Sequence, residues 1–337
     1  MLRSIAVRCV LLSVAACASQ PVETAVETQT EMRLQGTQLQ GIQLLGTQLQ
    51  NMTIVGFQLT GATFNGAALD NLRLDKGELV AEQNQVTLRG TALAGAHVVG
   101  QVHNTATNPV TTAAVDYQIT AIVAESSGND PLMTGSTYLY TLAQNVDGTG
   151  TYQTACPADT DGNHVAIPLA ATWNEHGDRV ESSTLFTFGC TSGAIAKCYR
   201  WGYRPWVTGH GDLVALHWTC TRLARADYCG NGTTHTHENT QINVWDNAPA
   251  PGPIQHHGTT PSGMVFEAGW NTGGAVCLSH SRWLLGGLII AALCPDRLVA
   301  PNLLLGGTVC DLESQVLGGA PAKMFDESNL NLNIDVL

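Results

Sequence analysis

The chain has 337 residues, of which 44% are apolar and only 12% are charged, and its formal net charge is −12. This length and composition are typical of a folded protein with one or two hydrophobic cores. A surface this acidic repels phosphate backbones, so nucleic acid is not expected as a partner.

The N-terminus has the features of a secretory signal. Arg3 and Arg8 supply positive charge, residues 5–16 are mostly apolar, and small residues stand directly before Cys17. A charged start, a short apolar centre and a small-residue cleavage site together predict export. Residues 14–17 (VAAC) also resemble a bacterial lipobox, in which the cysteine is diacylated and becomes the new N-terminus.

We therefore interpret residues 1–17 as a lipoprotein signal peptide with the lipobox cysteine Cys17. The expected location is the bacterial cell envelope, at the outer membrane, with the lipid as the link to the membrane. The alternative is an ordinary signal peptide that is cut a few residues later. Residues 18–30 have no hydrophobic periodicity and predict a flexible tether.

Residues 31–76 contain a five-residue repeat. Written in fives from Gly36, every repeat begins with Gly or Asn, and every fourth position is large and apolar. The apolar residues at that fourth position are Leu39, Leu44, Leu49, Ile54, Leu59, Phe64, Leu69 and Leu74. A period of five fits neither a helix nor a strand, so it indicates a chain that turns once per repeat.

This pattern resembles the pentapeptide-repeat β-helix, in which each five residues form one side of a square coil. The resemblance implies that the apolar residues point inward and that Gly or Asn occupies the corners. Eight repeats make about two coils, too few to stand alone, so we expect a short β-coil packed on the next domain. The alternative is a polar stalk of low complexity.

Residues 77–185 predict a β-rich domain of sandwich or barrel type. Short alternating segments are separated by loops rich in Gly, Asn, Asp and Pro. The predicted strands are residues 85–89, 97–103, 115–124, 137–143, 164–172 and 183–188.

Helical signals appear only after Cys190. Thr191 or Ser192 is placed to cap a first helix, and Asp212 is placed to cap a second one that ends near Gly230. Strands are expected again at residues 241–245 and 264–268, and a terminal strand or a disordered tail from Phe325. Residues 186–337 therefore predict an α+β region, and the whole chain is expected to be mostly β.

Eight cysteines follow the signal segment, namely Cys156, Cys190, Cys198, Cys220, Cys229, Cys277, Cys294 and Cys310. An even number in an exported chain predicts a disulfide framework of up to four bridges. Proximity in the sequence suggests Cys190–Cys198 and Cys220–Cys229 as local pairs. A structural zinc site is the alternative, although no Cys/His set has zinc-finger spacing.

Two long motifs, residues 186–206 and 225–232, resemble the bacterial ADYC-domain family. The family is named for the tetrapeptide that stands here as Ala226, Asp227, Tyr228 and Cys229. The resemblance implies a domain of unknown activity and brings no catalytic assignment. From the residues themselves, Asp227 at a helix end is expected to accept local hydrogen bonds and Tyr228 to pack. A binding or catalytic role for these two residues or Arg225 is the alternative.

Histidines supply the best candidate chemistry. His235 and His237 would point to one face of an extended strand, and Glu238 follows directly. Such a set, with the nearby His256 and His257, suits zinc or copper. The alternative is a solvated polar loop without a metal.

Three polar residues further along the chain are also candidates for a shared cluster. Glu267, His280 and Arg282 would form one if their two segments adjoin, and a buried salt bridge is the ordinary explanation.

The sequence thus predicts an exported, non-enzymatic binding or structural module that needs no cofactor. An envelope protein or a glycan is the expected kind of ligand. The alternative is an envelope-localised metal-dependent hydrolase that uses the histidines between His235 and His257.

Overall fold

The computed structural model describes residues 32–34, 38–45, 52–104, 107, 109–125, 137–237, 240–249, 251–282, 290, 292–297 and 322–329. The signal segment with Cys17, the tether 18–30, Glu238 and Cys310 lie outside these residues. The described chain shows no helix long and apolar enough to cross a bilayer.

The secondary structure is dominated by short strands. In chain order the elements are β1 (Met32–Leu34), β2 (Met52–Gln58), β3 (Thr63–Phe64), β4 (Ala67–Ala68), β5 (Asp70–Asp75), β6 (Glu78–Gln83), β7 (Val86–Arg89), β8 (His97–Asn104), β9 (Thr111–Ala124), β10 (Tyr138–Val146), β11 (Thr151–Thr154), β12 (Ala166–Leu169), β13 (Thr172–Trp173), β14 (Arg179–Val180), β15 (Leu185–Cys190), α1 (Ala194–Arg200), α2 (Leu213–Arg225), β16 (Thr240–Asp246), β17 (Met264–Asn271), β18 (Gly274–Leu278) and β19 (Met324–Asn329).

Six antiparallel strands close a barrel, in the order β2, β8, β9, β10, β12 and β15. Alternate residues of these strands point inward, so the interior is filled by large side chains. Phe57 stands at its centre, with its ring edge-on to Tyr117 and Phe188 at centroid distances of 5.1 and 4.9 Å. The barrel-like domain predicted from the strand pattern is therefore confirmed as a closed barrel.

The closure is uneven around the barrel. β8 pairs with β9 over eight residues, whereas β2 joins β15 only through Phe57↔Phe186 and Gln58↔Leu185. The barrel takes β2 from the repeat segment and β15 from the start of the C-terminal region.

A second layer is a five-stranded sheet in the order β1, β16, β19, β17, β18, against which α2 packs. The predicted terminal strand is confirmed, and it lies in the middle of this sheet as β19, between β16 and β17. A second core, formed by α2 and the inner face of this sheet, includes Leu223, Tyr228, Trp270 and Met324.

The structure does not show the square coil predicted for the repeats. β2 runs extended for seven residues because it pairs with β8, so the chain does not turn every five residues there. The apolar positions of the repeat face the cores where they are described: Ile54 and Leu69 are buried, and Leu39, Leu44, Leu59, Phe64 and Leu74 are half-buried. Leu49 lies outside the described residues.

The first helix is confirmed, but its predicted side-chain cap is wrong. Gly193 stands at the N-cap of α1, and no side chain caps it. Instead the N–H groups of Ala194 and Ile195 donate to the carbonyl oxygens of Gln38 and Leu39, at 3.1 Å each. The orphan donors of the first turn are therefore satisfied by a distant segment.

The second helix begins as predicted. The Asp212 carboxylate accepts a hydrogen bond of 3.0 Å from the N–H of Ala215, which is the usual N-cap geometry. The helix ends at Arg225, a few residues before the predicted stop at Gly230.

Three disulfides are present among the described residues: Cys156–Cys190, Cys198–Cys220 and Cys229–Cys294. Cys277 is disulfide-bonded as well. The local pairs Cys190–Cys198 and Cys220–Cys229 are wrong because their members face different surroundings. Cys190 ends β15 inside the barrel core, whereas Cys198 faces α2 in the second core.

These pairings can be checked by non-reducing proteolysis and mass spectrometry. We expect linked peptides for Cys156–Cys190, Cys198–Cys220 and Cys229–Cys294, which separate when the same digest is reduced. A linked peptide that joins Cys190 to Cys198 would contradict the packing of α1 described above.

Candidate functional site

The tetrapeptide 226–229 starts where α2 ends. Ala226 adopts the left-handed conformation (φ 50°, ψ 43°), and its N–H donates back to the carbonyl oxygen of Leu223 at 3.0 Å. A non-glycine residue rarely adopts this conformation, but it is a common way to terminate a helix. It turns the chain so that the next two side chains point back into the protein.

Asp227 is fully buried and forms an ion pair with the buried Arg222. Its two carboxylate oxygens also accept the N–H groups of Asn231 (3.0 Å) and Gly232 (2.9 Å). The remaining guanidinium N–H groups of Arg222 donate to Asp178 and to main-chain carbonyl oxygens. The carboxylate thus organises the loop after α2, as expected for local hydrogen bonding.

Tyr228 is also buried, stacked on Trp270 with ring centroids 5.2 Å apart. Its hydroxyl donates to Glu267 Oε1 at 2.9 Å and accepts the main-chain N–H of Arg282 at 3.0 Å. The disulfide Cys229–Cys294 follows directly in the chain. Each residue of the tetrapeptide is therefore used inside the fold.

Arg282 joins three elements. Its guanidinium donates to Glu267 of β17 at 2.9 Å, to Asp326 of β19 at 2.9 Å and to the carbonyl oxygen of Leu223 in α2 at 2.7 Å. Glu267 reaches this position because the pairing of β17 with β19 shifts register between Phe266 and Ala268, and such a bulge re-aims a side chain. The buried salt bridge expected for Glu267 and Arg282 is confirmed.

The two carboxylates of this cluster titrate differently. Burial opposes ionisation of Glu267, but the positive charge of Arg282, the nearby His280 and hydrogen bonds from Arg282 and Ser328 together outweigh burial and lower the pKa of this carboxyl. Burial and the neighbouring Glu267 raise the pKa of Asp326 well above its usual value. Glu267 is therefore the main counter-ion of Arg282.

His280 lies at the edge of the same cluster. Its Nδ1 is 2.9 Å from the carbonyl oxygen of Phe266, and its Nε2 is 3.1 Å from Ser328 Oγ. Burial lowers its pKa, so the ring is neutral at pH 7. Ser328 is fully buried, whereas His280 is half-buried.

The predicted metal ligands His235 and His237 lie in different surroundings, and Glu238 lies outside the described residues. His235 and His237 lie in a loop before β16 rather than on a strand, and His235 is 4% exposed whereas His237 is exposed. The His235 ring lies 5.7 Å from that of Tyr228, and His257 Nε2 lies 3.3 Å from Glu327 Oε1. Within the described residues, no three His, Cys, Asp or Glu side chains are grouped to hold a metal.

An open groove of about 1180 Å³ lies beside the weakly closed seam between β2 and β15. Its described lining comprises residues 38–45, 52–55 and 173–175 together with His103, Val110 and Arg225. Sequence reasoning missed this groove, because it is formed by segments that are distant along the chain. Of the binding-site candidates named from the sequence, Arg225 lies in this groove, and Leu39, Leu44 and Ile54 of the repeat also line it.

The groove combines an apolar floor with polar groups. Ile42 and Ile54 belong to the barrel core, and Leu44 and Met52 pack against it. Arg225 brings a guanidinium, one nitrogen of which donates to the carbonyl oxygen of Gly232 at 2.6 Å. Ligand sites in proteins commonly have this composition, with apolar walls and a few polar groups that orient the ligand.

The structural role of Asp227 can be tested by comparing it with Asp178, the other carboxylate on Arg222. Asp227→Ala leaves a buried guanidinium without its main partner, so the free energy of unfolding should fall by about 3–5 kcal/mol. Asp178 is 41% exposed, and Asp178→Ala should cost at most about 1 kcal/mol. Urea denaturation measures both, and equal losses would contradict a dominant role of Asp227.

The comparisons with known proteins agree with the motif. The model of the ADYC domain matches residues 90–284. No curated protein and no solved structure matches this chain. The family match covers more than half of the sequence and includes most of the barrel, both helices and the tetrapeptide, so the chain belongs to the ADYC-domain family.

Proposed function

We propose that the protein is an exported cell-envelope lipoprotein that acts as a binding or structural module and not as an enzyme. Export is supported by the charged and apolar start of the sequence and by the eight cysteines that follow it, which are enough for up to four disulfides. Three bridges among the described residues are compatible with an oxidising compartment. The lipid on Cys17 would be the link to the membrane, at the outer membrane.

One observation carries the non-enzymatic assignment. The polar side chains of the family tetrapeptide, Asp227 and Tyr228, are buried and bonded to partners within the protein. Groups held in this way maintain a scaffold, because a catalytic side chain must reach its substrate. Binding is then left to the groove beside β2, with an envelope protein or a glycan as the class of ligand.

Lipid attachment can be tested by metabolic labelling with an alkyne fatty acid. The wild-type protein should carry label and sediment with membranes, whereas Cys17→Ala should lose both properties. Cys9→Ala, within the same segment, serves as the matched control and should keep the label. Label retained in Cys17→Ala would contradict the lipoprotein assignment.

Metal analysis tests the assignment against a metal-dependent hydrolase. His235 is buried beside Tyr228 and His237 is exposed, so we expect no stoichiometric zinc or copper in protein purified without residues 1–17. Zinc or copper bound at one equivalent, and lost in His235→Ala with His237→Ala, would favour the hydrolase instead.

A further inference from the structure

We propose that the groove beside β2 binds an extended polypeptide segment, which adds as a strand to the open edge of β2 and places an acidic side chain near Arg225. This inference rests on the proposed binding function and specifies its ligand class.

The lining indicates that the groove runs along the edge of β2. Successive side chains of a strand point to opposite faces, so a groove over one face would be lined by alternate residues. Here four consecutive residues of β2, 52–55, line one wall, and residues 38–45, which form no strand, line the other. The groove therefore faces the main chain of β2.

Among the residues that the structure describes, β2 has no strand partner along this groove. On one side, residues 52–57 of β2 pair with β8, but on the other side the pairing with β15 stops at Phe57 and Gln58. The register of β2 against β8 shifts between Ile54 and Gly56, and such a bulge bends a strand away from its neighbour. An unpaired strand edge is a ready template for another strand.

The opposite wall, residues 38–45, is fixed by hydrogen bonds to other parts of the protein. The carbonyl oxygens of Gln38, Leu39 and Gln40 accept hydrogen bonds from α1 and the end of β15. Further along, the N–H of Gln43 donates to Ala155 O, and the Gln144 side chain bonds both main-chain groups of Leu45. A wall fixed in this way needs little ordering when a ligand enters, which favours binding.

The side chains select the chemistry of the ligand. The apolar floor of Ile42, Leu44 and Ile54 favours β-branched or other apolar side chains at alternate positions of the strand. Arg225 gives the groove a guanidinium, which complements a carboxylate on the ligand. The groove is open rather than enclosed, which suits a polypeptide better than a lone acyl chain.

The test uses the mature full-length protein and an array of decapeptides that alternate Val and Thr around one Glu. Matched peptides carry N-methyl groups at alternate residues or Lys in place of Glu. We expect the strongest unmodified peptides to bind at least tenfold more tightly than either matched form, measured by fluorescence anisotropy. Hydrogen exchange should show protection of the amides of residues 52–55 in the complex.

Two variants test whether the peptide binds in this groove. Val110 lines the groove and is 50% exposed, whereas Val123 of β9 is 52% exposed and is not among the lining residues. Val110→Asp should weaken binding of the Glu peptide at least tenfold, and Val123→Asp should leave it unchanged. Because both sites are half-exposed, neither change should unfold the protein, which circular dichroism verifies.

The remaining outcomes overturn the inference in distinguishable ways. N-methylated peptides that bind as tightly as the unmodified ones would exclude strand addition. Binding of dodecanoate or an envelope glycan that Val110→Asp abolishes, without peptide binding, would refute the polypeptide ligand and leave the binding function standing. If peptide, dodecanoate and glycan all fail to bind, the polypeptide inference fails together with the assignment of a binding role to the groove, which leaves only the structural role.

Discussion

The C-terminal half of the structure depends on one buried guanidinium. Arg282 binds Glu267 of β17, Asp326 of β19 and the carbonyl oxygen of Leu223, so it joins two strands and the end of α2 in a single cluster. Removing one partner from a buried ion pair typically costs several kcal/mol, because the remaining charge stays desolvated. The orientation of α2 on the five-stranded sheet is therefore tied to this arginine.

A second buried pair extends the same arrangement to the barrel side. Arg222 and Asp227 lie at the end of α2, and Asp178 belongs to the turn between β13 and β14. The two clusters meet at Tyr228, which follows Asp227 and bonds Glu267. The family tetrapeptide is thus the point where helix, sheet and barrel-side turn are joined, which explains its chemistry without a ligand.

Local elements could be predicted from the sequence because their signals are local. The Asp212 cap, the apolar face of α2 and the alternating strands of the barrel all follow from residues within one element. The cap of α1 could not be predicted, since its acceptors come from Gln38 and Leu39, far away in the chain. The groove was missed for the same reason.

The sequence by itself determined the helices and most of the barrel strands, that the cysteines form bridges and which family the chain resembles. The five-residue repeat marked positions that are buried or half-buried wherever they are described, but the predicted coil is not shown. Only the tertiary structure decided how the strands close into a barrel, which cysteines pair and where an edge stays open. The hydrophobic periodicity of a segment indicates which of its faces is buried. The partner that covers this face depends on the long-range pairing and register of the strands.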